Sequence, residues 1–116
     1  MNTKLFDLTI GLDKITSEAA EILKNGGIVA FPTETVYGIG ANPFNLNAVK
    51  KIYEIKGRHS DNPLIFHVSK YETIYEIAEV PVKVEAIIKN FMPGPLTLVL
   101  NSIIDIKFTF GLETIA

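Results

Sequence analysis

The sequence contains no cysteine and no tryptophan among its 116 residues, and Arg58 is its only arginine beside ten lysines. The absence of cysteine excludes disulfide bonds, thiolate catalysis and cysteine-based zinc sites, and it is compatible with a reducing compartment. No stretch approaches the roughly 20 apolar residues of a membrane span. The amino-terminal segment also lacks the continuous apolar run of a signal peptide. These absences predict a cytoplasmic protein with no membrane segment.

The charges of the chain nearly cancel. Eleven Lys and Arg residues face 13 Asp and Glu residues, for a formal net charge of -2, and 47% of the residues are hydrophobic. This composition is that of an ordinary folded protein, and the length predicts one domain. Because there is no global positive field, any contact with RNA would need a local basic patch.

Two kinds of local pattern predict alternating helices and strands. Apolar residues at helical spacing predict helices at residues 16 or 17 to 24, 46–56, 71–79 and 81–91. Short apolar runs predict strands at residues 28–31, 64–68 and 96–100, with weaker ones within 106–110 and 114–116. The run at 28–31 is continuous, as in a strand covered on both faces. This order predicts an α/β (α+β) fold with helices packed on a sheet.

The segment after the first predicted strand is rich in hydroxyl groups. It reads TETVY at residues 33–37 and is followed by Gly38 and Gly40. Loops at the carboxyl ends of strands are common ligand sites in α/β proteins, and glycines let a ligand approach the main chain. Threonines in loops also form turns. The residues alone therefore leave a binding loop and a purely structural turn open.

Two cations flank a glycine at the end of the second predicted helix. Lys56 lies one turn beyond Ile52 on the apolar side of this helix, and Arg58 follows Gly57. Such a pair can converge on one anion, with the guanidinium binding oxygens in a bidentate way. The alternative is a helix C-terminus whose cations complement its dipole. The position of the only arginine favours a phosphate or carboxylate site.

His67 lies within the predicted strand at residues 64–68. Alternation places it on the same face as Ile65, from which it could project into the edge of a pocket. A histidine hydrogen-bonded within the fold is the structural alternative. With two histidines, no cysteine and no acidic residue at helical spacing from either histidine, we predict no protein-built metal site.

Several spaced motifs, taken in order, resemble one known family. They are GGIVAFPTETVYGIG at residues 26–40, IYEIKGR at 52–58, NPL at 62–64, HV at 67–68 and PGPLTLVL at 93–100. Together these motifs resemble the YrdC-like threonylcarbamoyl-AMP synthases. The resemblance covers nearly the whole chain from about residue 15.

The resemblance implies a twisted, open, mixed sheet with helices packed on it. It also implies a nucleotidyltransferase that joins L-threonine, bicarbonate and ATP into threonylcarbamoyl-AMP, for the threonylcarbamoyladenosine modification of tRNA. Mg²⁺ would enter with ATP. Besides these substrates, the expected partners are tRNA or double-stranded RNA and the other proteins of tRNA threonylcarbamoylation.

The resemblance further implies which residues meet threonine. Thr35 and His67 match positions that hold this substrate, and Thr33 and Tyr37 lie in the same loop as Thr35. In the implied reaction the amine of threonine forms a carbamate, whose oxygen attacks the α-phosphate of ATP. The protein then needs alignment and charge stabilisation more than a nucleophile of its own.

Three further residues match positions that meet the phosphates of ATP, namely Lys56, Arg58 and Asn62. Of these, Lys56 and Arg58 are expected to act in catalysis by neutralising the charge that develops on the phosphates.

The family pattern continues beyond a segment like residues 111–116, whereas this sequence stops at Ala116. We therefore expect residues 1–116 to be a single YrdC-like domain that is truncated at its C-terminal side and inactive on its own. Two other functions stay open. One is a binding module for double-stranded RNA or tRNA, through a patch that includes Lys50 and Lys51. The other is the carbamoyl-adenylate-forming domain of a hydrogenase maturation factor.

Overall fold

The computed structural model describes residues 2–59 and 63–116. Its helices are α1 (Leu12–Lys24), α2 (Leu46–Lys56), α3 (Glu72–Ile77) and α4 (Val82–Phe91). Its strands are β1 (Val29–Phe31), β2 (Gly38–Gly40), β3 (Leu100–Asn101) and β4 (Thr114–Ile115). No helix formed by the described residues is both long and apolar enough to cross a membrane. The chain divides into two compact units, Met1–Arg58 and His59–Ala116, and the assignment of all 116 residues to one domain stays a prediction.

Helix α1 begins earlier than the sequence predicts. The hydroxyl of Thr16 donates to the carbonyl oxygens of Leu12 and Asp13, both at 3.0 Å, so Thr16 lies inside the helix. The N-cap position is instead Gly11, so no side chain caps the helix. The prediction of a cap at Thr16 or Ser17 is therefore wrong. The hydroxyl of Thr16 donates to carbonyl oxygens of the preceding turn, whereas a capping side chain accepts from an N–H of the turn that follows it.

Helix α1 ends in a Schellman turn on two glycines. The N–H of Gly26 donates to the carbonyl oxygen of Leu23 at 3.1 Å, and the N–H of Gly27 donates to that of Ile22 at 2.8 Å. Gly26 has a φ of +81°, which favours glycine. A Cβ on Gly26 would also lie 2.7 Å from the side-chain nitrogen of Asn45. The end of α1 therefore packs closely against the residue that starts α2.

Helix α2 has the bounds that the sequence predicts. Asn45 caps it, because its side-chain oxygen accepts from the N–H of Ala48 at 3.0 Å. The helix contributes the buried apolar residues described in the first unit, which are Ala48, Val49, Ile52 and Tyr53. These four lie on one stripe, so burial of this stripe holds α2 in the unit.

Strands β1 and β2 form an antiparallel pair, in a register that runs from Val29 opposite Gly40 to Phe31 opposite Gly38. The predicted strand therefore exists, but the prediction that both of its faces are covered is wrong. Ala30 and Phe31 are exposed, and within the described part of the chain β1 pairs with β2 alone.

The second unit joins four backbone segments by hydrogen bonds. Strands β3 and β4 are antiparallel. On one side the N–H of Glu79 donates to the carbonyl oxygen of Asn101, and on the other the N–H of Phe66 donates to that of Ala116, both at 2.8 Å. The predicted strand at 64–68 is not formed as a strand. Its alternation is nevertheless present, since residues 64, 66 and 68 are half-buried whereas Ile65 is exposed.

Two other strand predictions need correction. The predicted strand at 96–100 is replaced by the two-residue β3, which begins at Leu100. Residues 106–110 form no strand, because a 3₁₀ turn spans Ile106–Thr109. The side chain of Asp105 starts this turn by accepting from the N–H of Lys107 at 3.0 Å. A local polar side chain thus overrides the apolar pattern at this point.

The core of the second unit packs helices α3 and α4 against strand β4. Its buried members are Ile74, Ile77, Ala78, Ile88 and Ile115. Ile88 is fully buried, with none of its surface exposed. Partly buried residues from both ends of the unit, such as Phe66 and Leu98, pack around this cluster.

Replacing Ile88 by alanine should destabilise the second unit by about 2–5 kcal/mol, because the substitution leaves a cavity at a fully buried site. Ile87→Ala is the matched control, since the neighbouring isoleucine of the same helix is 40% exposed. We expect the control to cost less than about 1 kcal/mol. Urea denaturation of both variants measures the difference, and equal losses would show that Ile88 does not anchor the core.

Candidate functional site

The hydroxyl-rich loop between β1 and β2 is organised by Thr33. The hydroxyl of Thr33 donates to the carbonyl oxygen of Val36 and accepts from the N–H of Thr35 at 3.3 Å. The loop therefore contains the structural turn that the sequence left open as an alternative. This turn engages Thr33, whereas neither Thr35 nor Tyr37 uses its hydroxyl in it.

The base of the loop is closed by the ring of Phe31 lying over two glycines. A Cβ on Gly38 would come within 2.9 Å of this ring, and a Cβ on Gly40 would come within 3.2 Å. A side chain at Gly38 would therefore force the ring to shift, and one at Gly40 would crowd it more mildly. Sequence reasoning missed Phe31 as a residue that shapes the loop. The available signal was an aromatic residue opposite a glycine across an antiparallel pair.

The hydroxyls of Thr35 and Tyr37 are available to a ligand. Both residues are exposed, and 77% of the surface of Tyr37 is accessible. Neither hydroxyl makes a hydrogen bond to any residue in the described part of the chain. An exposed loop with two unengaged hydroxyls can donate to and accept from a small polar molecule.

The end of α2 is a second Schellman turn, and it determines how the chain passes from Lys56 to Arg58. Gly57 has a φ of +63°, the left-handed conformation that glycine adopts at little cost. The N–H of Gly57 donates to the carbonyl oxygen of Glu54 at 3.2 Å, and the N–H of Arg58 donates to that of Tyr53 at 3.0 Å. The turn therefore fixes the backbone on both sides of Gly57.

The side chains of Lys56 and Arg58 are both exposed. No carboxylate in residues 2–59 or 63–116 forms an ion pair with either of them. Two exposed cations at a helix C-terminus complement the helix dipole and can also bind an anion. The geometry is thus compatible with both interpretations of Lys56 and Arg58, an anion-binding site and a helix C-terminus stabilised by its cations.

His67 belongs to the second unit and is exposed. Its Nδ1 lies 3.1 Å from the carbonyl oxygen of Ile65. Because a carbonyl oxygen only accepts, Nδ1 carries the proton in this contact, and the neutral ring then has Nε2 as an acceptor. Asn62, the remaining predicted site residue, lies outside the described residues.

A shallow depression of about 360 Å³ lies elsewhere in the first unit, between α1 and the amino-terminal segment. It is lined by Lys4, Ser17, Glu18, Glu21 and Ile22, and it includes none of the predicted site residues. Lys4 bonds to Glu18 here, and this hydrogen bond lowers the pKa of the Glu18 carboxyl. Among the described residues, no three His, Asp or Glu side chains are grouped to hold a metal ion.

A family model described as "Telomere recombination", for the Sua5, YciO and YrdC proteins, matches residues 21–116 of the chain. The threonylcarbamoyl-AMP synthase of Pyrococcus abyssi is 50% identical over 101 residues, which cover 84% of this chain and 30% of that protein. The Bacillus subtilis threonylcarbamoyl-AMP synthase is 48% identical over 108 residues, covering 90% and 31%. The chain therefore spans about a third of the length of these relatives.

The fold is similar to a solved structure from the same group of proteins. The crystal structure of P. abyssi Sua5 complexed with L-threonine matches with a TM-score of 0.76 at 50% identity, over 84% of this chain and 30% of that one. Another structure of P. abyssi Sua5 matches with a TM-score of 0.77. These matches confirm the predicted mixed α/β (α+β) class.

Replacing Gly57 by alanine should destabilise the first unit by about 1 kcal/mol, because φ is positive at this position. Nothing lies within 4 Å of an added Cβ, so the loss would come from backbone strain alone. Gly57→Asn is the matched variant, since asparagine tolerates the left-handed conformation better than alanine does. Urea denaturation should rank glycine above asparagine above alanine, and an alanine variant as stable as the parent would contradict this account.

Proposed function

The chain belongs to the Sua5, YciO and YrdC family, and from this premise we propose that its protein is a threonylcarbamoyl-AMP synthase. The observation that carries the proposal is the 50% identity to P. abyssi Sua5, whose structure is complexed with L-threonine. The relatives from P. abyssi and B. subtilis are both named threonylcarbamoyl-AMP synthase. In this proposal the chain contributes the threonine loop and part of the ATP site.

L-threonine is the substrate that the loop between β1 and β2 would bind. The unengaged hydroxyls of Thr35 and Tyr37 support this role, because a zwitterionic amino acid needs both donors and acceptors. His67 would contribute its Nε2 as an acceptor for the hydroxyl or the ammonium group of the substrate. Each of these assignments is part of the proposal.

The phosphates of ATP would lie against Lys56, Arg58 and Asn62. The support for this assignment is the pair of exposed cations at a turn whose backbone is fixed by Gly57. A guanidinium binds phosphate oxygens through a bidentate fork, and an ammonium acts as a mobile point charge. ATP would bring Mg²⁺ with it as part of the substrate.

The reaction asks for alignment more than for a protein nucleophile. The amine of threonine combines with bicarbonate to form a carbamate, with loss of water. A carbamate oxygen then bonds to the α-phosphorus of ATP, and the bond from that phosphorus to the pyrophosphate leaving group breaks. Lys56 and Arg58 would stabilise the negative charge that develops on the phosphate oxygens. The threonylcarbamoyl-AMP produced would supply the modification of adenosine in tRNA.

Pyrophosphate release by the protein tests this function. We expect release to require ATP, bicarbonate and L-threonine together. L-valine is the matched control substrate, because it has the shape of threonine without the hydroxyl, and a site that bonds to this hydroxyl should reject it. Release that does not depend on threonine would overturn the proposal, and turnover of carbamoyl phosphate without threonine would favour carbamoyl-adenylate chemistry instead.

Arg58→Lys should lower kcat/KM for ATP by roughly 10- to 100-fold, because lysine keeps the charge but loses the bidentate fork. Lys51→Arg is the control, since Lys51 is an exposed cation of α2, the helix that precedes Arg58, and has no role in the proposed reaction. Steady-state kinetics with ATP varied would measure both variants. Unchanged kinetics for Arg58→Lys would remove Arg58 from the phosphate site, and a comparable loss in Lys51→Arg would point to a general effect on α2.

A further inference from the structure

Thr33 touches three other parts of its own loop. Its hydroxyl donates to the carbonyl oxygen of Val36 and accepts from the N–H of Thr35. Its methyl group faces the second strand, since a Cβ added to Gly38 would lie 3.4 Å from it. A single exposed side chain thus connects the first residues of the loop with its far end.

The contacts of Thr33 limit what its hydroxyl can do for a substrate. A hydroxyl has one proton, and the proton of Thr33 is donated to Val36. While this bond stands, Thr33 cannot donate to the carboxylate of an amino acid. This bond leaves the hydroxyl of Thr33 able to act towards a substrate only as an acceptor, and the substrate-lining role that the resemblance implies for Thr33 stays a prediction.

The same contacts fix the backbone around the next threonine. The N–H of Thr35 and the carbonyl oxygen of Val36 lie on either side of the Thr35 side chain, and both are held by the one hydroxyl of Thr33. Fixing these two groups restricts the backbone angles that set where the Thr35 hydroxyl lies. The loop is exposed in the described part of the chain, so these two bonds are its main internal restraint there.

We infer that Thr33 is a positioning residue, which orders the loop so that Thr35 presents its hydroxyl to the amino-acid substrate. Phe31 supports this arrangement at the base of the loop, where its ring packs against Gly38. The inference rests on the proposed function, because it takes L-threonine as the molecule that Thr35 meets. In this inference Thr33 holds the backbone of the loop, and Thr35 contacts the substrate.

Two substitutions separate the hydroxyl of Thr33 from its shape. Thr33→Val keeps the branched side chain and the methyl group but removes the hydroxyl, whereas Thr33→Ser keeps the hydroxyl. In the full protein, Thr33→Val should raise the KM for L-threonine roughly tenfold, the equivalent of one lost hydrogen bond. The kcat and the KM for ATP should stay within about twofold, because the lost order weakens ground-state and transition-state binding alike. Thr33→Ser should restore the KM for L-threonine.

Thr16→Val is the matched control, because the hydroxyl of Thr16 also bonds to backbone carbonyls of the first unit but lies inside α1. It should leave all three kinetic constants unchanged. A wild-type protein that shows no threonine-dependent release would refute the proposed function. An active wild type whose Thr33→Val variant keeps its KM for L-threonine would refute the positioning role alone.

Nitrogen-15 relaxation tests the ordering of the loop without any activity. The order parameters of the Thr35 and Val36 amides report motion on the picosecond to nanosecond scale. They should fall in Thr33→Val and recover in Thr33→Ser. Unchanged order parameters in the valine variant would show that the hydroxyl of Thr33 does not organise the loop, whatever the protein catalyses.

Discussion

The hydrogen bond from the N–H of Arg58 to the carbonyl oxygen of Tyr53 links the packing of the first unit to its cations. The side chain of Tyr53 is buried in the stripe that holds α2, while its carbonyl oxygen anchors the turn beyond the helix. That turn forms because Gly57 adopts a left-handed conformation. Burial of α2 and the left-handed conformation of Gly57 therefore together determine the backbone position of Arg58, which carries the only guanidinium of the chain.

At the opposite end of α2, the single side chain of Asn45 makes two contacts. Asn45 caps the helix with its oxygen, and its nitrogen lies 2.7 Å from where a Cβ on Gly26 would be. Gly26 also lets α1 end in a Schellman turn. The end of one helix and the start of the next thus depend on the same pair of residues, so α2 is located at its first residue as well as at its last.

Helices were more predictable from this sequence than strands, because their signals are local. The cap at Asn45, the apolar stripe and Gly57 give the bounds of α2 without knowledge of any partner. A strand depends on what lies beside it. Residues 64–68 show the predicted alternation of burial but form no strand. The N–H of Phe66 nevertheless donates to the carbonyl oxygen of Ala116, beside β4. Ala30 is exposed, although a continuous apolar run is typical of a strand that other elements cover on both faces.

The hydroxyl-rich loop could be located from the sequence, whereas the use of each of its hydroxyls could not. The pattern TETVY marks a loop that can bind or turn, and nothing in it tells Thr33 from Thr35. The difference arises from geometry, because the hydroxyl of Thr33 reaches back across the loop whereas that of Thr35 engages no described residue. A loop with two equivalent threonines in the sequence thus becomes one with a structural residue and an available donor. The structural bond requires only a hydroxyl at the first position, so under the proposed function the contact with the substrate falls to the second.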